Sequence, residues 1–350
     1  MVRIISDTST LYSTQQAREA GFAVSPLSVT IAGKCYREFD EISSDEFVSI
    51  IHEGHMPTSS QPAIGAVTAL YEEFAGEPIL NIAMAQGLSG TYMSAVAAAD
   101  LCDNAEDITV VNSRTLCGPH RYLVEGAVKL AREGASVDEL LAWLNRRMDT
   151  ARSFLIPADF DYLRRGGRLS PLVSHVGKLA GLAPVMTQTE DGTRLTVASI
   201  KRGLKHAVKY CVDTLRKQGV GKGWMVYISH AAAPEKAELA LGMLSAAMPG
   251  AEFEVVPLSP AFITQGGPEC MAIQYVELLV QNLSKGTAWP FSAFLLLSTV
   301  ANATVFCYNT FVAPLWSKRR FYRDIRQTHQ PLLPALRPHA AAGTGDAGGG

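Results

Sequence analysis

Hydrophobic positions in the first half of the chain alternate between short β-rich runs and longer stretches with helical spacing. Val2-Arg3-Ile4-Ile5 is a run of strand length that ends in the polar segment Ser6-Asp7-Thr8-Ser9-Thr10. Residues 22–31, 79–84 and 108–111 are further apolar, β-branched runs and predict strands. Between them, residues 44–51 open with capping residues, and residues 91–101 and 122–132 carry Ala- and Leu-rich helical faces. Gly134 is placed to end the last of these in a left-handed cap. Ser136-Val137-Asp138-Glu139 then has the S-x-x-E form of a capping box and opens a helix expected to run to about Arg152. A new strand at residues 154–157 starts a second unit, with strands at 224–228 and 253–256 and a helix at 236–247 between them. The alternation predicts a parallel or mixed sheet covered by helices. The expected fold class is α/β in two α/β domains, residues 1–154 and a smaller one at 155–283. In such sheets ligands gather outside the carboxyl ends of strands.

Residues 286–316 contain no charged side chain, and Lys318, Arg319, Arg320, Arg323 and Arg326 follow. The stretch from Pro290 to Pro314 has the length of a bilayer crossing. Seven Ser, Thr and Asn residues dilute it, and the basic flank and the body compete for the same side. The segment 284–350 is therefore expected to be an apolar, then basic and low-complexity tail that packs, lies at an interface or is non-native. Its basic part suits contact with an anionic membrane surface. Composition narrows the classes further. Of 350 residues 47% are apolar and 18% charged, with 33 acidic against 31 basic side chains. That apolar share excludes a disordered chain, and a net charge of −2 speaks against nucleic acid as partner. The amino terminus lacks the pattern of a signal peptide, and no cysteine pair has C-x-x-C spacing, so a cytoplasmic protein with reduced thiols is expected.

Small hydroxyl residues cluster in three expected loops: Ser6 to Thr10, Thr58-Ser59-Ser60-Gln61-Pro62, and Gly87-Leu88-Ser89-Gly90-Thr91-Tyr92. Any one of them reads equally as helix capping. Three in one α/β domain point to an anion pocket built from hydroxyls and unpaired backbone N–H groups. Basic residues gather at Arg164-Arg165-Gly166-Gly167-Arg168 and Lys201-Arg202-Gly203, where a guanidinium suits carboxylate or phosphate and the double glycine marks an unusual backbone. Downstream, the apolar positions from Leu172 to Met186 suit a core or the wall of an apolar tunnel. The familiar enzyme signatures fail. Gly219 to Gly223 lacks the Ser/Thr of a phosphate loop, His52-Glu53-Gly54-His55 is one residue short of a zinc motif, and Ser89 lacks the nucleophile frame. No metal, no cofactor and no catalytic residue is expected. The alternative is an acyl- or phosphoryl-processing enzyme that uses Ser89 with His230, at the end of a predicted strand.

Taken together the motifs resemble the DegV family, the fatty-acid-binding proteins that serve bacterial fatty acid kinases. The matching elements are Ser6-Asp7-Thr8-Ser9, Ser59-Ser60-Gln61-Pro62 against T-S-Q-P, Leu88-Ser89-Gly90-Thr91-Tyr92 against L-S-G-T-Y, Tyr162 to Arg168, and Gly267-Pro268, in register over residues 1–283. The resemblance implies two α/β domains that bury a long acyl chain between them or within the second. It assigns the fatty-acid carboxylate to Ser59 and Ser89, with Ser60, Gly90 and Thr91 beside them. Arg202, Gln265 and His230 become headgroup- or kinase-facing residues, and the partners are a long-chain fatty acid and a fatty acid kinase. This chain departs from the pattern in four places. Ser59 replaces Thr, Ala85-Gln86 replace two serines, Ala183-Pro184 replaces Lys-Pro, and Gln265-Gly266-Gly267-Pro268-Glu269 replaces His-Thr-Gly-Pro-Gly. A carboxylate at Glu269 would repel an anionic ligand if it faced the pocket.

Overall fold

Thirteen strands and ten α-helices follow one another among the residues that the computed structural model describes, 1–171, 173 and 181–278. The first are β1 (Arg3–Asp7), α1 (Thr14–Ala20), β2 (Ala23–Ser25), β3 (Ser28–Ile31), β4 (Lys34–Arg37), α2 (Ser44–His52), β5 (Thr58–Ser60) and α3 (Ile64–Glu73). Next come β6 (Ile79–Ala83), α4 (Thr91–Ala99), β7 (Ile108–Asn112), α5 (Cys117–Arg132), α6 (Val137–Met148), β8 (Arg152–Ile156) and α7 (Phe160–Gly166). The last are β9 (Leu182–Gln188), β10 (Leu195–Arg202), α8 (Leu204–Lys217), β11 (Trp224–His230), α9 (Pro234–Ala247), β12 (Glu252–Pro257), α10 (Pro260–Gly266) and β13 (Met271–Glu277). The chain is an α/β protein, and its described residues fall in one compact unit. The predicted tail lies outside the described residues, as do positions 172 and 174–180 of the apolar run.

Three sheets organise the unit. The first is parallel, in the order β2-β1-β6-β7. Its strands are apolar on both faces because both are covered. Ile4, Leu80 and Ile82 pack against Leu123, Val124, Leu140 and Leu144 of α5 and α6, while Ile5 and Ile79 pack against Tyr71 of α3 and Ala95 and Ala98 of α4. A small antiparallel sheet, β4-β3-β5, sets Ser59 opposite Val29 and Ser60 opposite Ser28. The third sheet runs β10-β9-β8-β13-β11-β12 and is antiparallel except for the parallel β11–β12 pair. Helices α8 and α9 cover one side of it through Val208, Cys211, Leu215, Ala237, Ala240 and Leu244.

The departures from the predicted elements have local causes. Residues 22–31 divide into β2 and β3, in different sheets, because Pro26 has no N–H to give and Leu27 donates instead to Thr8 Oγ1 (3.0 Å). Helix α5 starts at Cys117 rather than at Tyr122. Pro119 fits there because the N–H that proline lacks would have no partner in a first turn. Helix α6 stops at Met148 because Arg152 already pairs with Tyr275 of β13. The capping box of Ser136 and Glu139 and the left-handed Gly134 (φ 94°) stand as predicted. Helix α8 buries Ala207, Val208, Cys211, Val212 and Leu215, a helical stripe that the polar neighbours mask in the sequence.

The start of α5 meets the third sheet closely. A Cβ on Gly118 would stand 2.1 Å from Cγ of the buried Tyr227. Gly118→Ala is therefore expected to cost about 1–3 kcal/mol in denaturant unfolding. Gly242→Ala, in open space on α9, is expected to add about 0.5–1 kcal/mol. Equal effects of the two substitutions would refute this packing.

Candidate functional site

The second and third hydroxyl segments meet at one cavity of about 360 Å³, at the small end of ligand pockets. Strand β5 and the turn after it bring Ser59, Ser60 and Gln61, and the loop from β6 to α4 brings Leu88, Ser89 and Gly90. Arg168 stands just beyond α7, and α10 contributes Ala261, Phe262 and Gln265. Leu27, Met84, Leu116, Phe154, Leu155, Met186, Leu195 and Leu258 make the rest of the wall largely apolar, with Ser153, Thr187, Gln188 and Gln274 among them. The lining holds one cationic side chain, Arg168, and no carboxylate among the described residues. Hydroxyl and amide donors, a guanidinium and the first turn of α4 complement an anionic headgroup, and the apolar wall complements a hydrocarbon.

Hydrogen bonds fix the polar residues. Ser89 Oγ lies 2.8 Å from Thr91 Oγ1 and accepts from the Thr91 N–H (3.3 Å). Gln265 Nε2 donates to Thr264 Oγ1 (3.1 Å) and, at 3.4 Å, to Ser59 Oγ. Arg168 Nε donates to the Leu88 carbonyl (3.2 Å) and Nη1 to the Gly166 carbonyl. Burial and the neighbouring Arg194 pull its pKa down, though a guanidinium stays charged at neutral pH. Among the described residues no carboxylate lies within ion-pair distance of Arg168. The double glycine also finds its reason here. A Cβ on Gly166 would stand 2.1 Å from Gln265 Oε1, and Gly167 ends α7 in the left-handed conformation at φ 69°.

Of the residues singled out in the sequence, the structure brings Ser59, Ser60, Ser89, Gly90 and Gln265 into one lining. Thr91 is buried behind Ser89. Arg202 lies elsewhere, exposed at the end of β10 opposite Leu182. His230 is not in the lining, its Nδ1 accepts the Ala233 N–H (3.1 Å), and burial lowers its pKa, so it is not brought to Ser89. Glu269 points to Lys236 (2.6 Å) and is not in the lining either. Arg168 and Gln61 stand in the sequence only as members of the Arg164–Arg168 run and the Thr58–Pro62 segment, and neither is among the expected site residues. The signal for Arg168 was its place after a double glycine, which lets the chain turn back towards the cavity. Of the apolar run before β10, Val173 packs with Phe160, Leu163, Leu169 and Met186, and Met186 also lines the cavity.

The first hydroxyl segment departs from the expectation of a three-loop anion pocket, because its polar groups are spent on one another. Ser6 donates to the Ile82 carbonyl (2.7 Å), and Asp7 accepts from the N–H groups of Ser9 and Met84 (2.9 Å each). Ser9 donates to His120 Nδ1 (2.5 Å), whose other nitrogen lies 3.0 Å from the Ile82 carbonyl. Thr8 donates to Glu38, which also accepts the Ala261 N–H (2.8 Å). All these side chains are buried and none lines the cavity. Burial, reinforced by Asp7, pushes Glu38 from 4.5 up to about 7 against the lowering effect of its hydrogen bonds. The native state thus holds a proton that the unfolded chain releases above pH 4.5, and stability falls as pH rises through that window. Unfolding free energy is expected to drop by up to about 3 kcal/mol between pH 5 and pH 8 through this group. Glu38→Gln should flatten the profile, and an unchanged slope in that variant would remove Glu38 as its source.

Comparison with known proteins adds the context. The sequence model of the DegV family, described as "Uncharacterised protein, DegV family", matches residues 1–278. A DegV domain-containing protein of Caldanaerobacter subterraneus is 31% identical over 221 residues, which is 63% of this chain and 78% of that protein. A solved fatty-acid-binding DegV family protein from Thermus thermophilus is 26% identical with a TM-score of 0.72, covering 79% of this chain and 99% of its own. DegV from Bacillus subtilis, described as a fatty acid binding protein, is 25% identical with a TM-score of 0.70, covering 79% and 99%.

Proposed function

The chain belongs to the DegV family, and from that premise we propose that it binds a long-chain fatty acid and presents the carboxylate to a fatty acid kinase for acyl-phosphate formation. The observation that carries this reading is the cavity itself, with an apolar wall, donors from Ser59, Ser89 and Gln265 together with Arg168, and no acidic group in its lining among the described residues. Each buried methylene contributes roughly 0.8 kcal/mol, so the acyl chain supplies most of the affinity. The polar groups then orient the headgroup, and the protein needs no cofactor for this. Arg202, exposed at the end of β10, serves the kinase rather than the lipid. Among the described residues no helix is long and apolar enough to cross a membrane. The proposal includes a cytoplasmic protein that touches a membrane surface through residues 284–350.

Native mass spectrometry of the purified full chain is expected to show a co-purifying fatty acid. Ser59→Ala combined with Ser89→Ala should weaken palmitate binding at least about tenfold, since hydrogen bonds to a charged group are worth about 1.5–3 kcal/mol each. Absence of bound lipid together with unchanged palmitate affinity in that double variant would overturn the reading. Arg202→Ala is expected to lower acyl-phosphate formation with the kinase while leaving palmitate affinity as it was. If both fall together, Arg202 belongs to lipid binding.

A further inference from the structure

Gly90 sits at φ −74° and ψ 1°, a backbone conformation open to any residue, so the turn itself does not require glycine. The amide end of Gln61 occupies the space that a side chain there would need. A Cβ at position 90 would stand 1.9 Å from Gln61 Oε1 and 2.7 Å from its Cδ. Gln61 is held there from its other end. Its Nε2 donates to Ser94 Oγ (3.0 Å), and the Ser94 hydroxyl donates to the Pro62 carbonyl (3.1 Å). Ser94 is buried on α4, and Pro62 directly follows Gln61. The segment that carries Ser59 and Ser60 is thereby fastened to the helix start that carries Ser89 and Gly90. These two segments come from β5 and from the β6–α4 loop, which share no strand pairing.

We infer that Gln61 is a positioning residue: wedged between Gly90 and Ser94, it sets the spacing between the Ser59 and Ser89 hydroxyls and so makes the cavity select a carboxylate over an uncharged headgroup. The inference rests on the fatty-acid reading above. A long-chain acid and its methyl ester share the same hydrocarbon and differ in the headgroup that these hydroxyls would address. A loosened clasp should therefore cost the acid more than the ester, whereas a damaged cavity wall would cost both alike.

The test is a double-mutant cycle on the full chain with Gly90→Ala, Gln61→Ala and their combination, measuring palmitate and methyl palmitate affinity and thermal unfolding. Gly90→Ala alone is expected to weaken palmitate about tenfold or more and methyl palmitate less than about threefold. In the Gln61→Ala background the added methyl group finds room, and Gly90→Ala should change palmitate affinity less than about twofold. Ser94→Ala removes the hydroxyl that seats Gln61 and should reproduce the acid-selective loss with both glycine and glutamine in place. Additive penalties, or equal losses for acid and ester, would overturn the inference. If the unaltered protein binds neither compound, the fatty-acid reading fails by itself. The unfolding temperatures then still decide whether positions 61 and 90 are coupled, and additivity there sinks the clasp.

Discussion

A buried amide sits at the joint between the two larger sheets. Gln274, fully buried in β13, accepts the Gly118 N–H (3.3 Å) and donates to the Leu116 carbonyl (3.0 Å) and to Ser153 Oγ (2.8 Å). Leu116 precedes α5 and offers no side-chain cap, so these orphan backbone groups have the glutamine as a substitute. Helix α5 packs on the parallel sheet, and β13 lies between β8 and β11 of the other. Removing the amide would leave buried polar groups unpaired at the joint, at about 1–3 kcal/mol each. Leu116, Ser153 and Gln274 also belong to the cavity lining. The shape of the site therefore depends on the same contact as the packing of the sheets.

Behind the cavity lies the buried network of Asp7, Thr8, Ser9, Glu38 and His120. Its hydrogen bonds reach the wall through backbone, by way of the N–H groups of Leu27, Met84 and Ala261. These three residues show apolar side chains to the cavity while their amides are satisfied from the far side. An apolar wall with no orphaned backbone donors at these positions is thus built at the cost of burying two carboxylates. Hydrogen bonds from Ser9, Met84, Thr8 and Ala261 offset much of that cost.

Local signals in the sequence sufficed where the physics is local. The strand runs at β1, β6 and β7, the capping box at Ser136, and the hydroxyl turn at Ser89 are all set by neighbours a few residues apart. The three hydroxyl segments look alike in sequence, and what separates them is burial. The first supplies buried partners to His120 and Glu38, which stand far away in the chain, so no spacing rule could exclude it from the site. Arg168 is legible only as one of a basic run, because what makes it a lining residue is its contact with the Leu88 carbonyl, far away in the chain. The short strands β3, β4 and β5 carry too few residues for periodicity to register. They are held by pairing across the chain.

The cavity lining carries its charge in one guanidinium, and most of its remaining polarity in hydroxyls and amides. None of these exchanges a proton between mildly acid and mildly alkaline water. The one thiol in the wall, Cys117, is pushed further from ionisation by burial. The charge carried by the lining itself is therefore a constant of the covalent structure and does not follow the acidity of its surroundings. The group whose proton does come and go, Glu38, stands one layer back, where it touches the backbone of Ala261 and, once ionised, acts on the wall through space, adding to the burial that keeps the Cys117 thiol protonated.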